Sequence, residues 1–421
     1  MNKGFSDNLF SSSSLNGKYY LFLFLLWPFL AFITAVTSYS HKESRKLVYI
    51  FLIYYGLTFV MGELGGDGSD SERYAMYLKD NSELPFSDFF KIVGGLYTED
   101  TSMDIVEPFI SFIVSRFTTN YRILFAVFAA IFGFFYLKSI NLLYNRYLKN
   151  PGWNGLIHLA FFTAILPITA INGFRMWTAA WIFFYGAYHV ILYRDPRFLL
   201  IALGSSVVHW SFISANVILI IYYFAGNRNS IYLPIAIASF FFPLLMNSFF
   251  QSVSLKLGGG LQGRFEMYSD NAYIIGRQEE VEQAAWFLQI GDLLVFYYII
   301  LAMVIVHIKS GSLIKDKAES NLFSFLLLFL SFVNFGKEIP SFGGRFQTLF
   351  LLFGTLYIFL YFVKLPGSKV NLLTVIGLLP MILYTAILFR QGSESISAWI
   401  LTPGLGLPLL VPGLSITDLL F

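Results

Sequence analysis

The sequence predicts an all-α polytopic membrane protein, and three observations carry that prediction. Of 421 residues, 57% are apolar and only 13% are charged, too few to cover a water-soluble fold of this size. Runs such as Tyr19–Thr37, Tyr121–Tyr144, Trp286–Val306 and Arg345–Val363 approach or reach the roughly 20 residues that let a helix cross hydrocarbon. Between many of the apolar runs lie short basic loops, as expected of the cytoplasmic side of a membrane.

Taken in order, the apolar stretches are Tyr19–Thr37, Leu47–Met61, Tyr121–Tyr144, Trp153–Ala170, Phe174–Tyr193, Arg197–Phe224, Ile231–Phe250, Trp286–His307, Asn321–Phe335, Arg345–Val363 and Val370–Phe389. The basic loops hold Lys42, Arg45 and Lys46; Arg146 and Lys149; Arg194 and Arg197; Arg228; Lys309, Lys315 and Lys317; Lys364 and Lys369. Their acids are Glu43, Asp195, Asp316 and Glu319. Placing all of these loops inside makes Arg197–Phe224 enter and leave on one side. It is too short for two crossings and carries His209-Trp210-Ser211 at its middle. It therefore reads as two short helices meeting part-way, an arrangement tolerated where it lines a cavity or is buried in protein. The remaining stretches give about ten crossings, within a range of roughly 10 to 12 transmembrane helices, with both termini outside. The whole chain is a single membrane domain.

Several classes are excluded. The chain has no cysteine, so it holds neither a disulfide nor a thiolate metal site. No P-loop, Asp-x-Asp pair or His-Glu-x-x-His occurs. The N-terminal region has no signal-peptide pattern. A formal net charge of +3 reflects the inner-loop lysines and does not suggest a nucleic-acid partner.

Chemistry collects on the outer loops. The first, residues 62–120, opens with Gly62-Glu63-Leu64-Gly65-Gly66-Asp67-Gly68-Ser69-Asp70-Ser71-Glu72-Arg73-Tyr74. It closes with Asp104-Ile105-Val106-Glu107-Pro108-Phe109 and an apolar stretch to Phe117 that suits a membrane-surface helix. The second, residues 251–285, contains Gly263-Arg264-Phe265-Glu266-Met267-Tyr268. Smaller turns hold Asn172-Gly173-Phe174-Arg175 and Gly343-Gly344-Arg345-Phe346, and residues 390–421 form an outer tail that can fold over the cavity.

One outer arginine is explained as well by snorkelling to headgroups as by function. Three together run against the positive-inside tendency, and convergent guanidinium forks suit a phosphate or pyrophosphate. Arg175, Arg264 and Arg345 are therefore candidate pyrophosphate ligands. His209 at the helix break is a candidate proton acceptor, more than a satisfied core histidine. Asp67, Asp70 and Glu107 equally suit turn formation, a helix start or general-base chemistry, and the residues alone do not choose among them.

The order of these motifs resembles the EpsG-like branch of the Wzy polysaccharide polymerases. The likeness lies in Gly66-Asp67 with Tyr74, Glu107-Pro108, Asn172-Gly173-Phe174-Arg175, His209-Trp210-Ser211 and Arg264-Phe265 with Tyr268, spread from Leu47 to Val363. Two positions depart from the pattern: Gly68-Ser69-Asp70-Ser71 intervene before the tyrosine, and Met176 stands where glutamine is usual.

What the resemblance implies is a GT-C-like architecture and a metal-independent glycosyltransferase with no cofactor, active at the periplasmic face of a bacterial inner membrane. A growing glycan would pass from undecaprenyl pyrophosphate to the non-reducing end of an undecaprenyl-pyrophosphate-linked repeat unit, for O-antigen, capsule or exopolysaccharide. A chain-length regulator is an expected partner. Asp67 for preference, or Glu107 or His209, would act on protons; Arg175, Arg264 and Arg345 would hold the pyrophosphate. Asp70, Arg73, Tyr74, Asn172, Trp210 and Tyr268 would bind substrate. The rival readings are a flippase for lipid-linked glycan, an O-antigen ligase and a membrane O-acyltransferase.

Overall fold

The structure, a computed structural model, describes residues 17–62, 69–95, 104–147, 152–242, 252, 275, 285–313, 317–337, 339–365, 369–411 and 413–420. The described residues are helical apart from short connections and a single antiparallel bridge, Ser397 to Ser415. Among them, six apolar helical runs are long enough to cross a membrane, as a multi-pass protein requires.

Helices α1 (Gly17–Leu26), α2 (Pro28–Thr37) and α3 (Lys42–Leu57) come first. The expected single crossing at Tyr19–Thr37 is corrected here. Pro28 has no N–H to continue the helix, and Trp27 takes an extended conformation (φ −153°), so the run breaks into two 10-residue pieces. Gly17 packs against Glu43, and the Tyr20 hydroxyl lies 2.9 Å from Ser44 Oγ, at the start of α3. The pair is thus a hairpin with both ends at the basic end of the bundle. Gly17 lies opposite the side predicted for the N-terminal region.

The segment expected to form the first outer loop is structured by α4 (Asp70–Glu83), α5 (Phe86–Gly95) and α6 (Val106–Ser115). Ser69 caps α4, and Glu107-Pro108 sits in the first turn of α6, as acid and proline suit. Arg116 donates to the carbonyls of Asn81 and Leu84, tying the α4–α5 turn to the end of α6.

Helices α7 (Tyr121–Tyr147), α8 (Trp153–Ile165) and α9 (Phe174–Tyr193) follow, the last two joined by a 3-10 turn at Ile168–Gly173. Close packing sets their crossings. A methyl group at Gly56 of α3 would lie 2.3 Å from the Phe125 carbonyl of α7, so only glycine permits that approach.

The predicted broken pair is present as α10 (Arg197–Val208) and α11 (Phe212–Ala225), with the break at His209-Trp210-Ser211. It is a true return. Asn216 Nδ2 donates to the Ala202 carbonyl, Ser205 Oγ and Ser206 Oγ, and Arg194 Nη1 donates to the Tyr223 carbonyl at 2.9 Å. Arg194 itself has a left-handed backbone (φ 58°) that ends α9.

Helix α12 (Asn229–Ser239) starts at the basic end; residues 243–250 of the predicted Ile231–Phe250 span lie outside the described residues. Helices α13 (Trp286–Leu313), α14 (Lys317–Phe335), α15 (Pro340–Lys364) and α16 (Leu372–Ser393) complete the bundle. Lys364 pairs with buried Glu319 at 2.6 Å where α14 begins and α15 ends.

The tail turns back, as its position suggested. Gly404 N–H donates to the Leu26 carbonyl and Trp27 Nε1 to the Leu401 carbonyl, while Tyr54 bonds the Leu405 carbonyl. It is thereby strapped to the tip of the α1–α2 hairpin.

Candidate active site

The loop end of the bundle gathers the chemistry, and Arg175 is its hub. It lies in the first turn of α9, just after Gly173, so its side chain leaves the bundle towards α4 and the Asp104 segment. Its Nε donates to the Tyr74 hydroxyl (3.2 Å), Nη1 to Asp104 Oδ2 (3.2 Å) and Nη2 to Asp70 Oδ1 (3.4 Å). Tyr74 is placed from below by an aromatic column: its ring meets Phe128 edge-on, and Phe128 stacks on Phe174 at 3.9 Å.

Asp104, 2% exposed, bridges two elements. One oxygen takes Arg175; the other accepts the Trp210 N–H at 2.9 Å. That N–H belongs to the hairpin break, where helical hydrogen bonding fails, so the carboxylate satisfies a backbone group the break leaves over. His209 is 6% exposed; its Nδ1 accepts the Ser211 N–H at 3.2 Å and lies 2.9 Å from Ser211 Oγ. Nδ1 is therefore the acceptor and Nε2 carries the ring proton.

The carboxylates differ in proton affinity. Burial pushes Asp70 up, but the charges of Arg175, Arg73 and Arg345 outweigh it and hold its carboxyl below the usual range. Burial pushes Glu107 up to about 7, against a hydrogen bond from Ser111 and the Arg175 charge. Two acids in one neighbourhood are thus set apart, one ionised and one poised near neutrality.

Arg345, expected to open its span, lies one turn inside it: Pro340 starts α15 ahead of Gly343-Gly344. Its charge acts on Asp70, and it is half-buried with no hydrogen bond or ion pair among the described residues. The charges of Arg175 and Arg345 therefore both act on one carboxylate. Arg175 is already engaged by two carboxylates, so Arg345 is the less committed guanidinium. Arg73 also pairs with Asp70. Asp67, Arg264 and Tyr268 lie outside the described residues.

Beside this cluster opens a cavity of about 990 Å³. Asp70, Asn172 and Gly173 line it on one side, and Glu394, Ser415 and Asp418 of the folded-back tail line it on the other. Trp177 offers an aromatic face, held close because Gly173 has no side chain: a methyl there would sit 3.0 Å from the indole. Hydroxyls, amides and carboxylates with one indole suit the polar edges and apolar faces of sugars. Arg175, Glu107 and His209 are not in its wall; Arg175 reaches it through Asp70.

Asp104, Glu72 and the tail acids were not singled out by sequence. Asp104 had a usable signal, an acid three residues before Glu107. The tail acids had none, because only the fold brings them here.

Six apolar helical runs long enough to cross a membrane, two short-helix hairpins and an acid–arginine cluster beside a polar cavity define a multi-pass membrane protein. The EpsG family model matches residues 47–400, and the chain belongs to the EpsG family. Membership suggests a polysaccharide polymerase-like function. No curated protein and no solved structure matches the chain.

Proposed function

We propose that this protein polymerises a lipid-linked polysaccharide repeat unit by metal-independent glycosyl transfer at the periplasmic face of a bacterial inner membrane. The observation that carries the reading is the convergence of Asp70, Asn172 and Gly173 on one sugar-sized cavity, with Arg175 bonded to Asp70 and the charge of Arg345 acting on it.

The acceptor sugar's hydroxyl oxygen attacks the anomeric carbon of the donor glycan. The bond from that carbon to the pyrophosphate oxygen breaks, and its electron pair leaves with undecaprenyl pyrophosphate. Arg345, with Arg264 and Arg175, neutralises the charge that develops there. The hydroxyl proton passes to a carboxylate of the 67–70 segment, Asp67 by its motif position, with Asp70 beside it. Glu107, poised near neutrality, and His209 adjust the charge behind Asp70. Arg73, Trp210 and Tyr268 shape the substrate path, Tyr74, buried beneath Arg175, positions that guanidinium, and no cofactor takes part. The lipid bilayer delivers both undecaprenyl-linked substrates, and a chain-length regulator would dock at the same face.

The test is to incubate purified protein with a single lipid-linked repeat unit and resolve the products. A ladder lost in Arg345→Ala at unchanged protein level supports the proposal. A full ladder in both Arg345→Ala and Arg264→Ala removes these residues from the reaction. Transfer of the unit between leaflets without a ladder makes the protein a flippase.

A further inference from the structure

Glu72 is the carboxylate that the reaction above leaves unused. It is 3% exposed, and its remaining exposure opens into the cavity, beside Gly62. Its local sequence explains it as a helix cap: Ser69 is the N-cap of α4, and a glutamate three residues later normally turns back to accept the N-cap's own N–H. Here only half of that box closes. The Glu72 N–H donates to Ser69 Oγ at 3.4 Å, while the Glu72 carboxylate accepts no hydrogen bond and makes no ion pair among the described residues.

The other acids of the cavity wall are satisfied. Asp70 has Arg73 and Arg175, Glu394 pairs with Arg390 at 2.8 Å, and Asp418 accepts from Ser415. No Lys, Arg or His lines the cavity among the described residues. Glu72 thus has no donor among the described residues and faces the cavity, so its carboxylate is open to donors from whatever fills that cavity.

We propose that Glu72 is a substrate-binding residue, whose carboxylate accepts hydroxyl or amino hydrogens of a sugar ring seated in this cavity. Sugar O–H and N–H groups are donors of the right kind, and a charge-assisted hydrogen bond to a carboxylate is among the stronger polar contacts. Gly62 leaves the flank of the carboxylate open, and Trp177, across the same cavity, offers a surface for the ring's apolar face. The ligand is thus the glycan part of the substrate, while the pyrophosphate keeps to the arginine side. This rests on the polymerase reading for the identity of the substrate, but not for binding itself.

The experiment uses full-length protein in nanodiscs and the lipid-linked repeat unit extracted from cells lacking this protein. Equilibrium binding, initial polymerisation rates and thermal melting are measured for wild type, Glu72→Gln and Glu72→Ala. The expected result is binding weakened about tenfold or more, with KM raised in parallel and kcat changed far less, as loss of uniform binding requires. Melting of the unliganded variants should stay level, because the change removes no contact the carboxylate makes among the described residues. A cap or structural role would instead lower melting and leave binding per folded molecule unchanged, which overturns the inference. Wild-type binding at wild-type strength in both variants overturns it as well, as does a wild type that does not bind the unit. Wild type that binds without making a ladder, with binding lost in Glu72→Gln, keeps the inference and rejects polymerisation.

Discussion

At the scale of single residues, Arg175 is first a clamp. It joins α9 to α4 through Asp70 and Tyr74, and to the α10–α11 break through Asp104 and Trp210. Removing one partner of a buried pair costs more than the pair contributes, about 3–5 kcal/mol, because the other charge stays behind unpaired. Arg175→Ala should therefore melt far below wild type, leaving Asp104 buried without its cation. Asp104→Asn keeps an oxygen for the Trp210 N–H and removes the charge. The double variant Arg175→Ala/Asp104→Asn should regain most of the lost stability in thermal unfolding yet stay inactive. Equal melting of the double variant and Arg175→Ala would show that the pair does not couple. Glu107 makes a second prediction, from its raised proton affinity. Its carboxyl binds a proton up to about 7 in the fold, against an ordinary value of 4.5. The folded state thus holds more protons than the unfolded chain between those values. That contribution to stability is complete below 4.5 and is lost as pH rises to about 7. Melting curves of wild type minus Glu107→Gln should fall across this window; a difference independent of pH would reject the assignment.

At the scale of elements, what the sequence shows is what hydropathy and charge can encode. The broken pair was legible because a histidine, tryptophan and serine interrupt an apolar run whose flanking basic loops demand the same side. The helix α6 was legible from Glu107-Pro108 ahead of a short apolar stretch. The first hairpin was not, although Trp27-Pro28 marks its break, because an unbroken apolar composition across Tyr19–Thr37 matches a single crossing equally well. What decides it is remote: the α1–α2 tip is held by Leu401 and Gly404 of the tail. The same reason explains the site. Arg175 and Asp70 were found through local motifs, whereas Asp104 acquires its role only when α6 brings it under the hairpin break, more than 100 positions away in sequence. Glu72 was hidden for the opposite reason, because a serine three residues before it supplies a complete local explanation of which the folded chain uses only the backbone half.

At the scale of the whole molecule, the two hairpins share one design. Each enters and leaves at the basic end, and each presents a helix break in the opposite half, one to the tail and one to Asp104. The loop end is thus built from breaks and caps around a cavity, while the basic end is closed by tyrosine and asparagine contacts such as Tyr147 with Tyr188 and Asn227 with Asn321. This arrangement makes a sharp topological prediction, and the chain is suited to testing it because it has no cysteine of its own. Single cysteines at Gly17, Ser40 and Ser230 should fall in one accessibility class towards an impermeant thiol reagent, and cysteines at Glu83 and Asn120 in the other. That grouping follows from the fold whichever way the protein sits in the bilayer. The basic loops then orient it: Glu83 and Asn120 should label from outside intact cells, and the other three only after permeabilisation. Gly17 decides between one crossing and a hairpin, since a single span across Tyr19–Thr37 would place it with Asn120. Labelling of Gly17→Cys from outside, with Ser40→Cys protected, would dissolve the first hairpin and the seat of the tail with it.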